Sequence, residues 1–108
     1  MEHLFVYGTL QPGGPNEHVL AAIDGEWQRA FVIGHLVNEG WGASLGYPAL
    51  VLGDDGDEVH GQVFASKDLH TLWSDLDEFE GEAYERTLVP VTLVSGGRVD
   101  AFVYLKRS

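Results

Sequence analysis

Ser66-Lys67-Asp68-Leu69-His70-Thr71-Leu72-Trp73-Ser74-Asp75-Leu76-Asp77-Glu78-Phe79-Glu80-Gly81 is the stretch whose pattern decides the fold. Leu69, Leu72, Trp73, Leu76 and Phe79 recur at i, i+3, i+4, i+7 and i+10, which is one face of an amphipathic helix. Ser66 stands where a side-chain N-cap is expected, and Asp68 falls in the first turn. Gly81 supplies the stop at the other end.

Working outward, strands surround this helix. Downstream, Thr87, Val89, Val91 and Leu93 alternate as in a half-buried strand. Ser95-Gly96-Gly97-Arg98 is a hairpin turn, and Val99 to Leu105 forms its second arm. Upstream, strands are expected at residues 3–7, Trp27 to Val37, Pro48 to Leu52 and Val59 to Phe64. Residues 8–15 hold the breaker cluster Pro12-Gly13-Gly14-Pro15 and form a loop. Asn16 to Ile23, with Val19, Leu20 and Ile23 at helical spacing, is a short helix. Asn38 to Tyr47 is a glycine-rich loop, and Gly53 to Asp57 an acidic turn. This order lacks the βαβα rhythm of a doubly wound sheet. It predicts an α+β fold: a small mixed, curled or barrel-like sheet packed by one main and one short helix. Residues 1–108 are expected to form one domain around one core.

Composition narrows the chemistry. With 44% hydrophobic and 11% aromatic residues the chain can build a core. It has no cysteine, which removes disulfides, thiolate metal sites and a thiol nucleophile, and fits a cytoplasmic location. The start, Met1-Glu2-His3-Leu4-Phe5-Val6-Tyr7, reads as a strand and not as a signal peptide. No apolar run reaches membrane-spanning length. Seventeen acids against six bases give a net charge of −11, which repels phosphate backbones and anionic membranes. Neither nucleic acid nor membrane is therefore an expected partner, and a small cationic or amine-bearing molecule remains compatible.

Several motif-like spacings fail on context. Gly42-Ala43-Ser44-Leu45-Gly46 matches a nucleophile elbow, but a loop precedes it and Tyr47-Pro48 bars the helix that must follow. Gly8-Thr9-Leu10-Gln11-Pro12-Gly13 begins like a P-loop, yet Gly14 stands where its lysine belongs and Pro15 follows. Gly40-Trp41-Gly42 lacks the spacing and the βαβ setting of a dinucleotide fingerprint. Asp54-Asp55-Gly56-Asp57-Glu58 lacks a calcium loop's length and closing glutamate, and reads as a solvated turn. The five histidines show no metal-binding pair. No metal and no cofactor is expected.

The unusual segment is Leu76 to Arg86. Five carboxylates, Asp77, Glu78, Glu80, Glu82 and Glu85, fall within nine residues, four of them at or just beyond the helix C-terminus. That end carries partial negative charge, so an ionised carboxylate there is disfavoured. Burial would raise its pKa further, toward the value a general acid/base needs. Glu80 follows Leu76 by four residues and lies toward the apolar side; Asp77 lies near it, and Glu78 points away. Glu80 is either such an acid/base or a capping, ion-paired carboxylate with Arg86 as partner.

Phe5-Val6-Tyr7-Gly8-Thr9-Leu10 resembles the opening motif of the γ-glutamyl cyclotransferase-like family. Val59-His60-Gly61-Gln62-Val63-Phe64 is similar to its central strand. Leu76-Asp77-x-Phe79-Glu80-Gly81 with Tyr84-x-Arg86 resembles its third motif, and Phe102-Val103-Tyr104 its closing strand. The four occur in family order along nearly the whole chain. The resemblance implies release of 5-oxoproline: the α-amine of a γ-glutamyl group attacks its own γ-carbonyl and expels an amine or amino acid. The family's catalytic glutamate falls on Glu80, and its γ-glutamyl cradle on Tyr7, Gly8, Thr9 and Leu10. Tyr84 and Tyr104 either line the pocket or are core aromatics with wet hydroxyls. Arg86 orients either Glu80 or a substrate carboxylate. A non-catalytic γ-glutamyl or amino-acid binding domain of the same fold is the alternative, and a plain structural domain a third. The sequence stops just past its last strand, so the long C-terminal lid of larger relatives is expected to be missing. The leaving group and the oligomeric state are left open.

Overall fold

The computed structural model describes residues 2–8, 10–37 and 49–106. Six strands and two helices follow in the order β1 (Glu2–Val6), α1 (His18–Ala21), β2 (Glu26–Val37), β3 (Ala49–Leu52), β4 (Asp57–Ser66), α2 (Trp73–Glu80), β5 (Tyr84–Leu93) and β6 (Arg98–Lys106). A 3-10 turn, Leu69–Thr71, precedes α2. The strands hydrogen-bond in the order β3-β2-β4-β1-β6-β5, and β5 also pairs with β2. That last pairing, Ala30 with Leu93 and Phe31 with Thr92, closes five strands into a small barrel. β3 extends the sheet from β2. Among the described residues only β1 and β6 run parallel, with Leu4 opposite Phe102; the other described pairs are antiparallel. The α+β class and the barrel-like sheet are as the sequence predicts.

Strand alternation sorts the core into two clusters. Phe5, Ala30, Val32, Leu50, Val59, Val63, Val89, Val91, Ala101 and Val103 come from all six strands and fill the barrel. Their neighbours on the opposite face, including Leu4, Val6, Phe64 and Tyr104, meet Leu20, Leu69 and Leu76 from the helical segments. Gly61 lies in the barrel wall opposite Ala30. A Cβ there would run into the Val6 carbonyl oxygen and stand 2.9 Å from the Phe5 ring, so glycine is what lets β1 and β4 close around Phe5.

The helix at 66–81 needs correction. Ser66 is the buried last residue of β4 and caps no helix. Its Oγ donates to the Asp24 carbonyl at 2.6 Å and accepts from the Asp68 N–H at 3.1 Å, a local hydroxyl turn that competes with helix formation. The chain then makes the 3-10 turn, and α2 begins at Trp73 without a side-chain cap. The apolar spacing survives the break: Leu69 and Leu76 are fully buried, and Leu72, Trp73 and Phe79 pack beside them. Gly81 ends α2 as expected. Its φ of 82° with ψ of −176° is a conformation nearly restricted to glycine. The short helix is a single turn, His18–Ala21, anchored by Leu20. β5 begins earlier than alternation suggests, so Tyr84 and Arg86 are strand residues on one face. The acidic turn is solvated, with Asp55 beside His35 at 3.2 Å. No described helix is long and apolar enough to cross a membrane.

Candidate functional site

Five segments meet at one end of the barrel. They are the turn after β1, the start of β3, the C-terminal ends of α2 and β6, and the start of β5. Parallel pairing of β1 with β6 brings Tyr7 and Tyr104 to the same end. The Tyr7 hydroxyl donates to the Tyr104 carbonyl at 2.8 Å and accepts from the Leu50 N–H at 3.1 Å. It therefore straps β1, β3 and β6 together. Burial pushes the Tyr7 phenol far above its usual pKa, a Leu50 N–H acts against this, and the nearby charges of Glu80 and Tyr84 add to it. Replacing Tyr7 with Phe strands a buried N–H and a carbonyl together. This is expected to cost about 1–3 kcal/mol, read as a lower urea midpoint; an unchanged midpoint would show that the strap is dispensable.

Glu80 closes α2 and is mostly withdrawn from water. Burial raises its carboxyl from 4.5 to about 7, so near neutrality it is divided between acid and base. Its charge is felt by both Tyr7 and Tyr104. Burial also raises the Tyr104 phenol, followed by its bond to Asp77, so Tyr104 stays a donor. Its hydroxyl donates to Asp77 Oδ1 at 2.7 Å, and the same oxygen lies 3.4 Å from Arg86 Nε. The Arg86 guanidinium lies 4.5 Å from the Trp73 ring centroid and 5.4 Å from that of Phe102. A cleft of about 500 Å³ opens here, lined by Asp77, Glu78, Gly81, Glu82, Tyr84, Arg86 and Tyr104.

The structure thus brings Glu80, Tyr7, Tyr84, Tyr104 and Arg86 to one end of the barrel. The Gly8 carbonyl accepts from the Gln11 N–H at 3.2 Å. Leu10 is 4% exposed and packs into the core, so any part it plays toward a ligand falls to its backbone. Thr9 and Ser44 lie outside the described residues. Arg86 is engaged by Asp77 and two aromatic rings. Asp77, which the sequence places near the apolar face but gives no role, is the residue both Tyr104 and Arg86 address. Its spacing of three from Glu80 was the available signal. Among the described residues, no group of three His, Asp or Glu side chains could hold a metal ion.

A family model described as γ-glutamyl cyclotransferase, AIG2-like, matches residues 4–108. The chain belongs to that family. Among solved structures, it is similar to YkqA from Bacillus subtilis (28% identity, TM-score 0.73), covering 98% of this chain and 36% of that one. It is similar to an AIG2-like protein from Mus musculus (28% identity, TM-score 0.70), covering 98% and 77% respectively. A solution structure from Arabidopsis thaliana matches at 26% identity and TM-score 0.71, covering 97% and 61%. The chain thus spans little more than a third of YkqA's length. No curated protein sequence matches closely enough to add to these.

Proposed function

We propose that the chain is a γ-glutamyl cyclotransferase. The observation that carries this is a buried carboxyl, Glu80, poised near neutral pH beside the strap of Tyr7 and the phenol of Tyr104. Family membership supports the reaction class. In the proposed reaction the substrate α-amine forms a bond to its own γ-carbonyl carbon, and Glu80 takes the proton that nitrogen loses. The tetrahedral intermediate collapses with cleavage of the original C–N bond, and Glu80 returns the proton to the departing nitrogen. One carboxyl with a pKa near working pH suits both transfers. Backbone N–H groups of the turn from Tyr7 to Leu10 are the proposed oxyanion donors, and Tyr84, Tyr104 and Arg86 complete the substrate walls. The substrate brings its own nucleophile, which agrees with a chain that has no cysteine.

The cleft at the C-terminal end of α2 offers a way to order substrates. Asp77, Glu78 and Glu82 outnumber Arg86, which Asp77 already engages. A leaving group without a carboxylate should therefore be preferred. The test is 5-oxoproline release from matched γ-glutamyl amines and γ-glutamyl amino acids. The amines are expected to show a several-fold higher kcat/KM at low salt, with the gap closing as ionic strength approaches about 1 M. Saturable binding without 5-oxoproline from any substrate would overturn the enzyme and leave a binding domain.

A further inference from the structure

We infer that Asp77 is the positioning residue that fixes the last turn of α2, and Glu80 with it, against the β5–β6 wall. This rests on Glu80 being the acid/base. α2 has only eight residues, no side-chain cap at its start and one fully buried side chain, Leu76. A helix that short is marginal unless its packing holds it. Trp73 and Phe79 add partly buried contacts, but apolar packing tolerates small rotations about the helix axis. Directional bonds do not. Asp77 Oδ1 receives the Tyr104 hydroxyl from β6 and faces Arg86 Nε from β5. One oxygen thereby ties the helix to two strands, a single turn before Glu80.

The two partners are themselves held. Arg86 is stacked over Trp73, and Trp73 meets Phe102 edge-on at 5.0 Å between centroids. Trp73 Nε1 donates to Glu2 Oε2 at 3.0 Å, which links the start of α2 to β1. Asp77 is 47% exposed and Arg86 27%, so the ion pair is a weak source of stability. Its contribution is orientation, and a displacement of about 1 Å at a reacting group can cost on the order of 10²-fold in rate.

The groups facing Glu80 allow a test that mere stability would not answer. Tyr7 faces it from the end of β1 and Tyr104 from β6; Tyr84 of β5 stands near Tyr7, and Arg86 stands near Tyr104. Asp77 is one turn back on its own helix. Asp77→Ala, Asp77→Asn, Tyr104→Phe and Glu80→Gln are to be compared with wild type for 5-oxoproline release across pH. Asp77→Ala is expected to lower kcat about 10- to 100-fold, and to move the ionisation in the rate profile below neutrality as Glu80 gains water. Tyr104→Phe keeps the Asp77 charge and should shift the profile in the same direction, which separates position from charge. Asp77→Asn keeps an acceptor for Tyr104 but loses the charge facing Arg86, and should fall between wild type and Asp77→Ala in rate.

If Glu80→Gln abolishes turnover while Asp77→Ala keeps the wild-type rate and profile, the inference is wrong and the acid/base stands. A slower Asp77→Ala with an unmoved profile overturns it as well. Should Asp77→Ala fail to fold, Tyr104→Phe decides by the same criteria. A fully active Glu80→Gln removes the acid/base, and this inference with it.

Discussion

Glu80→Gln is expected to lower kcat for 5-oxoproline release by about 10³-fold, within the range a positioned acid/base contributes. Glutamine has nearly the same shape but can neither take the proton from the attacking amine nor return it to the leaving nitrogen. The loss should appear with the fold intact, and the direction of the pKa shift says why. The protonated Glu80 is the form the folded protein favours, because burial raises the carboxyl from 4.5 to about 7. The folded state binds the extra proton in that window, so wild-type stability falls as pH rises from about 4.5 to about 7. The full difference corresponds to roughly 3 kcal/mol. The glutamine variant escapes this penalty. It should be less sensitive to pH and more stable than wild type at pH 8, with the two closer at pH 5. Urea titrations at the two values test this. A variant that turns over normally would end the acid/base assignment. One that is inactive and also destabilised at pH 8 would point to a structural part for Glu80.

The second large effect lies in the barrel wall. Gly61→Val is expected to cost about 3 kcal/mol or more, at or above the upper end of typical overpacking. The first atom of any side chain there meets the Val6 carbonyl oxygen, and a backbone atom in a paired strand cannot swing aside as a side-chain tip can. Phe5, fully buried inside the barrel, blocks the remaining space. For a domain of this size the melting temperature should drop by about 15 °C, with Gly61→Ala between the two. A Gly61→Val midpoint within a few degrees of wild type would mean that β1 and β4 can part without loss. The same collision would reach the site, since Val6 leads directly into Tyr7.

Some of this architecture was legible in one dimension. The spacing of Leu69, Leu72, Trp73, Leu76 and Phe79 reports a buried face whether the backbone is 3-10 or α, and that face is as expected. The Gly96–Gly97 hairpin and the Gly81 stop also stand, because positive φ leaves few alternatives to glycine. The helix start was misread for an equally local reason. A serine hydroxyl can close a turn as readily as it caps a helix, and Ser66 was committed to the distant Asp24 carbonyl. A barrel-like sheet was legible, but not that Ala30 and Leu93 close it, since pairing between strands far apart leaves no periodic mark. For the site, Glu80 could be selected from helix phase and crowded acids. The Asp77 junction needed Tyr104 and Arg86 placed in space. So did the strap, whose hydroxyl reaches partners 97 and 43 residues away.

That long reach sets the order in which the molecule becomes competent. Strand β1 precedes its parallel partner β6 by most of the domain's sequence. Until β6 docks, Tyr7 has no Tyr104 carbonyl to grip and Asp77 has no phenol to receive. Contacts so distant in sequence are slow to form. The geometry around Glu80 is therefore expected to mature late in folding, and a chain in which β6 has not docked carries the glutamate without the environment that raises its pKa.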